Sequence, residues 1–280
     1  MKVILISIGN FQEYILYNIK NLLLHGNNDI TVITNLEFFS YFNKYSIELI
    51  DYNTLDDLNY NKKSQLDRNF RNGFWYFASL RLFYLYSYIK KYNIEHCVHI
   101  ENDVLVYENL DILTKKDFIY APFDSYNRVI PSFIYIPNHE TFKPVIDNYN
   151  NTLNDMENLA KFNFIKSLPI IPIINNEIIK FNENFDEFNC IFDAAAIGQY
   201  LGGIDPRNQG GDTRGFINET CIIKYNNYKF YWVKENNLYN PFILINNKLI
   251  KIINLHIHSK QLQNFLSDKP HECNHLIVIN

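Results

Sequence analysis

The chain has 280 residues, of which 47% are hydrophobic and 20% charged, so it can bury a core and falls outside the composition of disordered chains. Its formal net charge of −4 disfavours a nucleic-acid groove, which needs a basic surface, and we expect no nucleic-acid partner. No apolar run approaches the roughly 18 residues that a membrane span requires, so we expect no membrane span.

The first part of the chain alternates apolar strands with helices. Residues 3–8 are continuously apolar and predict a strand buried on both faces. Apolar spacing predicts a helix over 11–24, strands at 30–33 and 46–50, and a short helix at 38–42. This order predicts an α/β fold with a Rossmann-like, mostly parallel central sheet flanked by helices, without a clear interdomain linker.

The elements after residue 50 are predicted as a polar loop or solvated helix at 53–73, a long aromatic-rich helix at 74–91, strands at 97–100, 118–121 and 132–136, and a helix at 139–150. Residues 151–190 are rich in Asn and show no clear periodicity. Pro169 and Pro172 interrupt an Ile-rich stretch there, which indicates an irregular or edge segment.

Two carboxylates directly follow the predicted strand at 97–100. Glu101 and Asp103 are separated by Asn102. Ligands of open α/β sheets bind beyond the carboxyl ends of the strands, and carboxylate oxygens suit Mg²⁺ or Mn²⁺, which would neutralise a diphosphate. The same triplet is also compatible with a turn that closes the strand and binds no metal.

Six of the nine glycines lie between positions 198 and 215, which indicates a turned loop beside a ligand or a surface loop without chemistry. Asp193 precedes this segment and three alanines. It is predicted either to cap a short helix or to point at a sugar hydroxyl.

A third candidate feature lies near the carboxyl end of the chain. Alternation places His256 and His258 on one side of a predicted strand, with Lys260 just beyond. Two imidazoles and a lysine suit a metal and a phosphate, whereas a structural or solvent-facing role is the alternative.

Together these residues resemble nucleotide-sugar glycosyltransferases of the GT-A fold, and especially those of giant DNA viruses and some bacteria. Glu101-Asn102-Asp103 resembles the DXD metal motif of the family, with Glu in the first place. His256 or His258 resembles its carboxyl-terminal metal ligand. The resemblance covers most of residues 1–265. It implies one domain there, with a nucleotide-binding half at about 1–110, an acceptor-side half at about 111–265 and a tail at 266–280.

The resemblance implies a metal-dependent glycosyltransferase that uses Mn²⁺ or Mg²⁺. It would move a sugar from a nucleotide-sugar donor, with UDP as the preferred nucleotide, to a hydroxyl of a glycan or protein acceptor. The implied metal ligands are Asp103, His256, Glu101 and His258. The implied donor contacts are Ser7, Ile8, Gly9, Asp51, Tyr52, Arg81, Glu101, Asn102 and Lys260.

A glycosyltransferase also needs residues that contact the sugars and, in an inverting enzyme, a general base. Asp193 is the first candidate for the general base, because the small alanines after it leave room for a sugar. Gln199 and Asp205 are candidate sugar contacts.

Two other functions stay open. One is a protein of the same fold that binds sugar nucleotides or glycans with little or no turnover, which the Glu at position 101 suggests. The other is a sugar-1-phosphate nucleotidyltransferase, although Gly9-Asn10-Phe11-Gln12 does not match the Gly- and Arg-rich phosphate loop usual in that class.

The four cysteines are widely scattered and form no CxxC pair. They therefore support neither a zinc site nor a disulfide framework, and predict a reducing compartment. We expect a cytoplasmic protein, located in the host cytoplasm or the virion if the chain is viral.

Overall fold

The structure is a computed structural model that describes residues 1–113, 116–170, 183–202, 227–258, 261–270 and 276–279. Its strands are β1 (Lys2–Ser7), β2 (Ile30–Thr34), β3 (Glu48–Asp51), β4 (Cys97–Ile100), β5 (Val104–Val106), β6 (Tyr120–Ala121), β7 (Phe123–Ser125), β8 (Arg128–Val129), β9 (Phe133–Ile136), β10 (Lys166–Ser167), β11 (Lys229–Glu235), β12 (Leu238–Ile245), β13 (Lys248–Lys251), β14 (Asn254–His256) and β15 (Leu276–Ile279).

The α-helices of the described ranges are α1 (Ile15–Leu24), α2 (Tyr60–Lys63), α3 (Phe74–Lys91), α4 (His139–Asp147), α5 (Asp155–Ala160) and α6 (Phe185–Phe188). Short 3-10 helices lie at Leu36–Phe42, Tyr52–Thr54, Phe70–Asn72, Leu110–Leu113 and Leu262–Phe265. Within this part of the chain, no helix combines the length and the apolar character needed to cross a membrane.

The described strands form a central seven-stranded sheet in the order β10-β6-β9-β4-β1-β2-β3. Strand β1 runs parallel to β2 and β4, β2 runs parallel to β3, and β9 is antiparallel to its neighbours β4 and β6. The predicted mostly parallel α/β sheet is therefore confirmed. Because β1, β2 and β4 point the same way, their carboxyl ends meet at one edge of the sheet.

The side chains of β1 show why this sheet is buried on both faces. Val3 and Leu5 pack in one apolar cluster with α1, whereas Ile4 and Ile6 pack in a second cluster with α3. The alternation follows from the two-residue period of a strand. Each fully buried aliphatic side chain stabilises the fold by about 1.5–3 kcal/mol, so the continuous apolar run is required on both sides.

Strands β5 and β14 form a separate antiparallel ribbon, in which Leu255 lies opposite Leu105 and His256 opposite Val104. Strand β5 begins just after β4 ends, so residues 101–103 connect the central sheet to the ribbon. The ribbon thereby brings His256 beside the end of β4.

A second described sheet has the order β13-β12-β11-β15. Strand β15 lies within the segment predicted as a tail, 266–280, and pairs in parallel with β11. Trp232 of β11 is fully buried beneath this sheet.

Two segments differ from the sequence-based expectation. Residues 193–202 form bends and turns where a short helix was predicted, because Ala195 has a φ of 55°, which a right-handed helix does not allow. The segment at 151–190 contains α5, β10 and α6, and 171–182 lie outside the described residues. Its elements have two to six residues, too few for a hydrophobic period to show.

Candidate metal and substrate site

The acidic turn, defined as residues 101–103, is held rigidly at the carboxyl end of β4. The backbone N–H of Val104 donates to the carbonyl oxygen of Glu101 at 3.2 Å and closes the turn. From α1, the buried amide of Asn18 donates to the carbonyl oxygens of Glu101 at 2.9 Å and of Asn102 at 3.3 Å. The carboxylates of the turn therefore project from a fixed backbone.

His256 completes a cluster with the two carboxylates of the acidic turn. Its Nε2 lies 3.2 Å from Oε2 of Glu101 and 3.4 Å from Oδ1 of Asp103. One ligand atom from each residue lies within 4.8 Å of the others. Adjacent ligand atoms of an octahedral Mg²⁺ ion lie roughly 3 Å apart, so this spacing fits one divalent ion. Two carboxylates and one imidazole are also a donor set that Mn²⁺ accepts.

The charges of this cluster are balanced by a proton when no metal is bound. Burial opposes ionisation of Asp103, but His256 and then His258 lower the pKa of its carboxyl to about 2. Burial also opposes protonation of His256, but Asp103 and then Glu101 raise the pKa of its imidazole to about 9. A metal ion bound by this cluster would therefore displace the proton of the His256 imidazole.

Arg81 of α3 ties the acidic turn to a second carboxylate. Its guanidinium pairs with Glu101 through Nη1, and Nη2 lies 2.8 Å from Oδ2 of Asp155. Burial acts to lower the pKa of Arg81, but Glu101 and Asp155 outweigh it and raise the pKa above its usual value. Arg81 is a predicted contact of the nucleotide-sugar donor. Two of its guanidinium nitrogens are paired with carboxylates of the protein.

Asp155 is a site residue that the sequence reasoning missed. It lies in the first turn of α5 and is 1% exposed. Asn154 caps this helix by accepting a hydrogen bond from the backbone N–H of Glu157 at 3.0 Å. The pattern of Asn followed three residues later by Glu could have predicted the helix start, although it does not reveal Arg81 as the partner.

A cavity of about 1110 Å³ opens beside the cluster. The residues that line it include Ser7 at the end of β1, Gly9 and Phe11 just after this strand, and Asp124 and Arg128. This volume slightly exceeds the usual range for small-molecule pockets, so it has room for a large ligand or for two ligands.

Several residues that line the cavity carry buried polar atoms without a hydrogen-bond partner among the described residues. They include Oγ of Ser7, Nε of Arg81, Oδ1 of Asn102 and Nδ1 of His256. Buried polar groups normally have a partner, so the cavity wall keeps unused hydrogen-bonding capacity.

Aromatic side chains line the same cavity near the start of α3. Phe74, Trp75 and Phe77 contribute to the wall, and Phe74 and Phe77 are exposed. Gly9 has a φ of 86°, and a Cβ atom there would lie 3.9 Å from the ring of Phe77. The backbone at Gly9 and the ring of Phe77 thus face each other across a narrow gap.

The predicted site residues fall into three groups. Those that line the cavity are Ser7, Ile8, Gly9, Arg81, Glu101, Asn102, Asp103, Gln199, His256 and His258. Asp51 and Tyr52 are not among the described lining residues, because β3 is an edge strand and its end is displaced from the cluster. Lys260 and Asp205 lie outside the described residues.

Asp51 and Tyr52 have structural contacts instead. Asp51 accepts a hydrogen bond from the backbone N–H of Asn53 at 3.0 Å and caps the short 3-10 helix there. Tyr52 packs edge-on against Tyr84 of α3.

His258 lies beside His256 but outside the strand. Strand β14 ends at His256, and His258 has a φ of 61°, so strand alternation does not continue to it. Its buried ring lies 4.4 Å from that of His256, measured between centroids. Among the described residues, the imidazole within ligand distance of both carboxylates is that of His256.

Asp193 is fully buried and is not among the described residues that line the cavity. Its carboxylate accepts hydrogen bonds from the backbone N–H groups of Ala196, Ile197, Gly198 and His256. The bonds from Ala196 and Ile197 are those of a helix N-cap, although residues 195–202 form bends and turns and not a helix. The predicted base role needs a carboxylate that reaches the cavity, whereas this one is saturated by backbone donors.

No protein-family model matches the chain, and no curated protein matches it. Solved structures do resemble it. The galactosyltransferase LgtC, in complex with donor and acceptor sugar analogs, is 14% identical with a TM-score of 0.39, over 57% of this chain and 69% of that chain. Mouse xyloside xylosyltransferase 1 is 8% identical with a TM-score of 0.40, over 57% of this chain and 80% of its own.

A nucleotidyltransferase is also similar to this chain. It is a cytidylyltransferase of Leptospira borgpetersenii serovar Hardjo-bovis, 12% identical with a TM-score of 0.33, over 54% of this chain and 66% of that one. Because these identities and TM-scores are low, the likenesses give this chain neither a function nor the role of any residue.

Proposed function

We propose that this protein is a metal-dependent glycosyltransferase. It moves a sugar from a nucleotide-sugar donor, with UDP as the preferred nucleotide, to a hydroxyl of a glycan or protein acceptor. The observation that carries the proposal is the convergence of Glu101, Asp103 and His256 on the wall of a large cavity at the carboxyl edge of the sheet. Open α/β sheets bind their ligands at this edge.

Asp103 and His256 are proposed to hold the ion, Mn²⁺ or Mg²⁺. Glu101 is shared between the cluster and Arg81, so it contributes one carboxylate oxygen to each. When bound, a divalent ion supplies Lewis-acid stabilisation of the leaving nucleoside diphosphate. Arg81 keeps the carboxylate of Glu101 in one orientation, which pre-organises the cluster before a donor arrives.

The wall formed by the end of β1 is proposed to bind the nucleoside. Ser7 and Asn102 line this part of the cavity, and their side chains are proposed to bond to ribose hydroxyls. Gly9 permits close approach of the ligand to the backbone, and the rings of Phe11 and Phe77 provide apolar surface for a base.

Three other residues that line the cavity are proposed to bind sugars. They are Gln199, Asp124 and Arg128, which offer both hydrogen-bond donors and acceptors. Asp124 and Arg128 lie 3.3 Å apart as an ion pair, so a sugar hydroxyl there meets a fixed acceptor and a fixed donor.

The test measures nucleoside diphosphate release from a panel of nucleotide sugars and acceptors in the presence of Mn²⁺. We expect release by the wild-type protein, and loss of release after chelation of the metal or in Asp103→Asn, which keeps the side-chain volume but removes the charge. The matched control is Asp111→Asn, which changes an exposed carboxylate paired with the terminal amine of Met1 at 2.6 Å. Equal activity of the two variants would refute the proposal.

One observation favours a second candidate, a sugar-nucleotide-binding protein with weak or no turnover. The pairing of Arg81 with Glu101 takes one carboxylate oxygen away from the cluster. This candidate predicts no release of nucleoside diphosphate in the assay above. It also predicts Mn²⁺-dependent binding of a nucleotide sugar, measured by calorimetry. Release of pyrophosphate would instead identify a nucleotidyltransferase.

A further inference from the structure

The carboxylate of Asp193 joins two segments that are far apart in the chain. Oδ1 accepts from the N–H groups of Ala196 at 2.8 Å and Ile197 at 2.9 Å. Oδ2 accepts from the N–H groups of Gly198 at 2.7 Å and His256 at 2.9 Å. We call this set of four bonds the Asp193 clasp. An ionised carboxylate has about four lone-pair sites, so the clasp uses its whole accepting capacity.

A second pair of bonds supports the clasp from β14. Oδ1 of Asn254 accepts from the backbone N–H of Asp193 at 3.2 Å, and Nδ2 of Asn254 donates to its carbonyl oxygen at 3.3 Å. The fully buried Asn254 thereby pairs with Asp193 as another strand would. Asn254 lies two residues before His256, so both residues contact Asp193 from the same edge of β14.

Gly198 lets the two segments approach this closely. A Cβ atom at this position would lie 2.7 Å from both the backbone nitrogen and the backbone oxygen of His256, and 2.8 Å from Oδ2 of Asp193. Any side chain at residue 198 would push the segment away from β14. Gln199 follows directly and lines the cavity.

The backbone of His256 is therefore fixed on both edges of β14. On one edge, the ribbon with β5 continues to Ile257, whose N–H donates to the carbonyl oxygen of Asp103 at 3.0 Å. On the other edge, the N–H of His256 donates to Asp193. A backbone held from both sides fixes the point from which the imidazole reaches the acidic turn.

We propose that Asp193 is a positioning residue that fixes the metal-ligating imidazole of His256 and the cavity side chain of Gln199 as one rigid unit. This inference rests on the proposed function for the identity of the cluster as a metal site. It assigns Asp193 no proton transfer. Contacts that orient metal ligands from outside the ligand shell typically contribute about 10- to 100-fold in metal affinity.

The first test compares Mn²⁺ binding by the wild-type protein and Asp193→Asn by calorimetry without any nucleotide. We expect affinity to fall by about 10- to 100-fold, because an amide places an N–H₂ group against a backbone donor. Hydrogen exchange of the metal-free protein provides a readout independent of activity. The amides of Ala196, Gly198 and His256 should exchange faster in Asp193→Asn.

Gly198→Ala is the second variant, used because it leaves the carboxylate of Asp193 in place. Its added methyl group should separate the two segments, weaken Mn²⁺ binding and speed exchange of the His256 amide. Asn138→Ala is the matched control, since Asn138 caps α4 through the N–H of Thr141 at 2.9 Å and lies outside the cluster. It should lose this cap with no change in Mn²⁺ affinity.

Turnover separates positioning from base catalysis. Raising the Mn²⁺ concentration should restore most of the turnover of Asp193→Asn, because a displaced ligand is compensated by mass action. Low turnover at saturating Mn²⁺ with unchanged Mn²⁺ affinity would establish a base role and overturn the inference. Unchanged exchange of the His256 amide in both variants would also overturn the inference.

The failure of the proposed function looks different. A wild-type protein that binds no Mn²⁺ would refute the metal site, whereas a wild-type protein that binds Mn²⁺ as tightly as Asp193→Asn would refute only the inference. In the first case, exchange rates in the metal-free protein still decide whether the clasp fixes the backbone of His256.

Discussion

The acidic turn and the end of β14 bring side chains to one point, but different contacts hold them there. The turn is closed by a hydrogen bond between Val104 and Glu101, three residues apart, and continues a buried strand. The backbone of His256 and Ile257 is held by Asp193 and Asp103, which are remote in the chain. The turn is thus closed locally and then supported by Asn18 and Arg81, whereas the position of His256 depends entirely on contacts that are remote in the chain. Substitutions near the acidic turn should change the charge of the proposed metal site, and substitutions near His256 should change the position of its imidazole.

The largest expected effect comes from breaking the ion pair that anchors the turn. Arg81→Met would leave Asp155 buried without its cation, which should destabilise the protein by about 3–5 kcal/mol. Lys20→Met is the control, since Lys20 and Asp268 form an exposed pair that contributes about 0–1 kcal/mol. Urea unfolding measures both. Equal losses of unfolding free energy would mean that burial of Asp155 does not matter.

The next effect compares the two neighbouring histidines. His256→Gln removes a proposed ligand and should weaken Mn²⁺ binding by at least about 100-fold, the upper end of what outer contacts contribute. His258→Gln should change Mn²⁺ affinity only a few-fold, because His258 lies outside the group of three converging ligand atoms. Calorimetric titration of both variants measures the difference. The reverse order of effects would move the proposed ligand from residue 256 to residue 258.

The remaining effects concern pH, and the first is the pH dependence of Mn²⁺ binding. In the metal-free protein, His256 is protonated below a pKa of about 9, and metal binding must release this proton. We expect affinity to rise about tenfold per pH unit between about pH 6 and 8, with one proton released. His139→Gln, remote from the cluster, should keep this slope. An affinity that stays flat across this range would contradict the proton-for-metal exchange.

The stability of the metal-free protein should fall at both ends of the pH range. The pKa of His256 is raised from 6.5 to about 9, so its contribution is fully present below pH 6.5 and is lost as the pH rises through 9. The pKa of Asp103 is lowered from 3.8 to about 2, so its contribution is present above pH 3.8 and is lost as the pH falls through 2. Thermal unfolding without metal measures the loss at both ends.

Several parts of this arrangement could be predicted without coordinates. The continuous apolar run at 3–8 predicts a strand buried on both faces, and β1 lies inside the sheet between β4 and β2. Glu101 and Asp103 directly follow a strand, which places them at a binding edge in any parallel sheet. These predictions depend on periodicity and on neighbours in the chain, which are visible in the residues themselves.

Other parts could not be predicted in this way. Asp155 lies in a short helix without a hydrophobic period, and its pairing with Arg81 crosses many residues. Asp51 and Tyr52 follow a predicted strand as Glu101 does, yet β3 lies at the sheet edge and they do not reach the cavity. Strand order is a property of the sheet, and it decides which strand ends become site residues.

The amino-acid sequence by itself determined the alternation of buried strands and helices and the presence of two carboxylates, separated by one residue, after β4. Only the tertiary structure decided that His256 joins them while His258 does not, and that Asp193 faces the backbone of β14. The reason is physical, since side-chain period and chain proximity act over a few residues. The pairing of β14 with β5 and with the Asp193 clasp depends on burying groups that are distant in the chain.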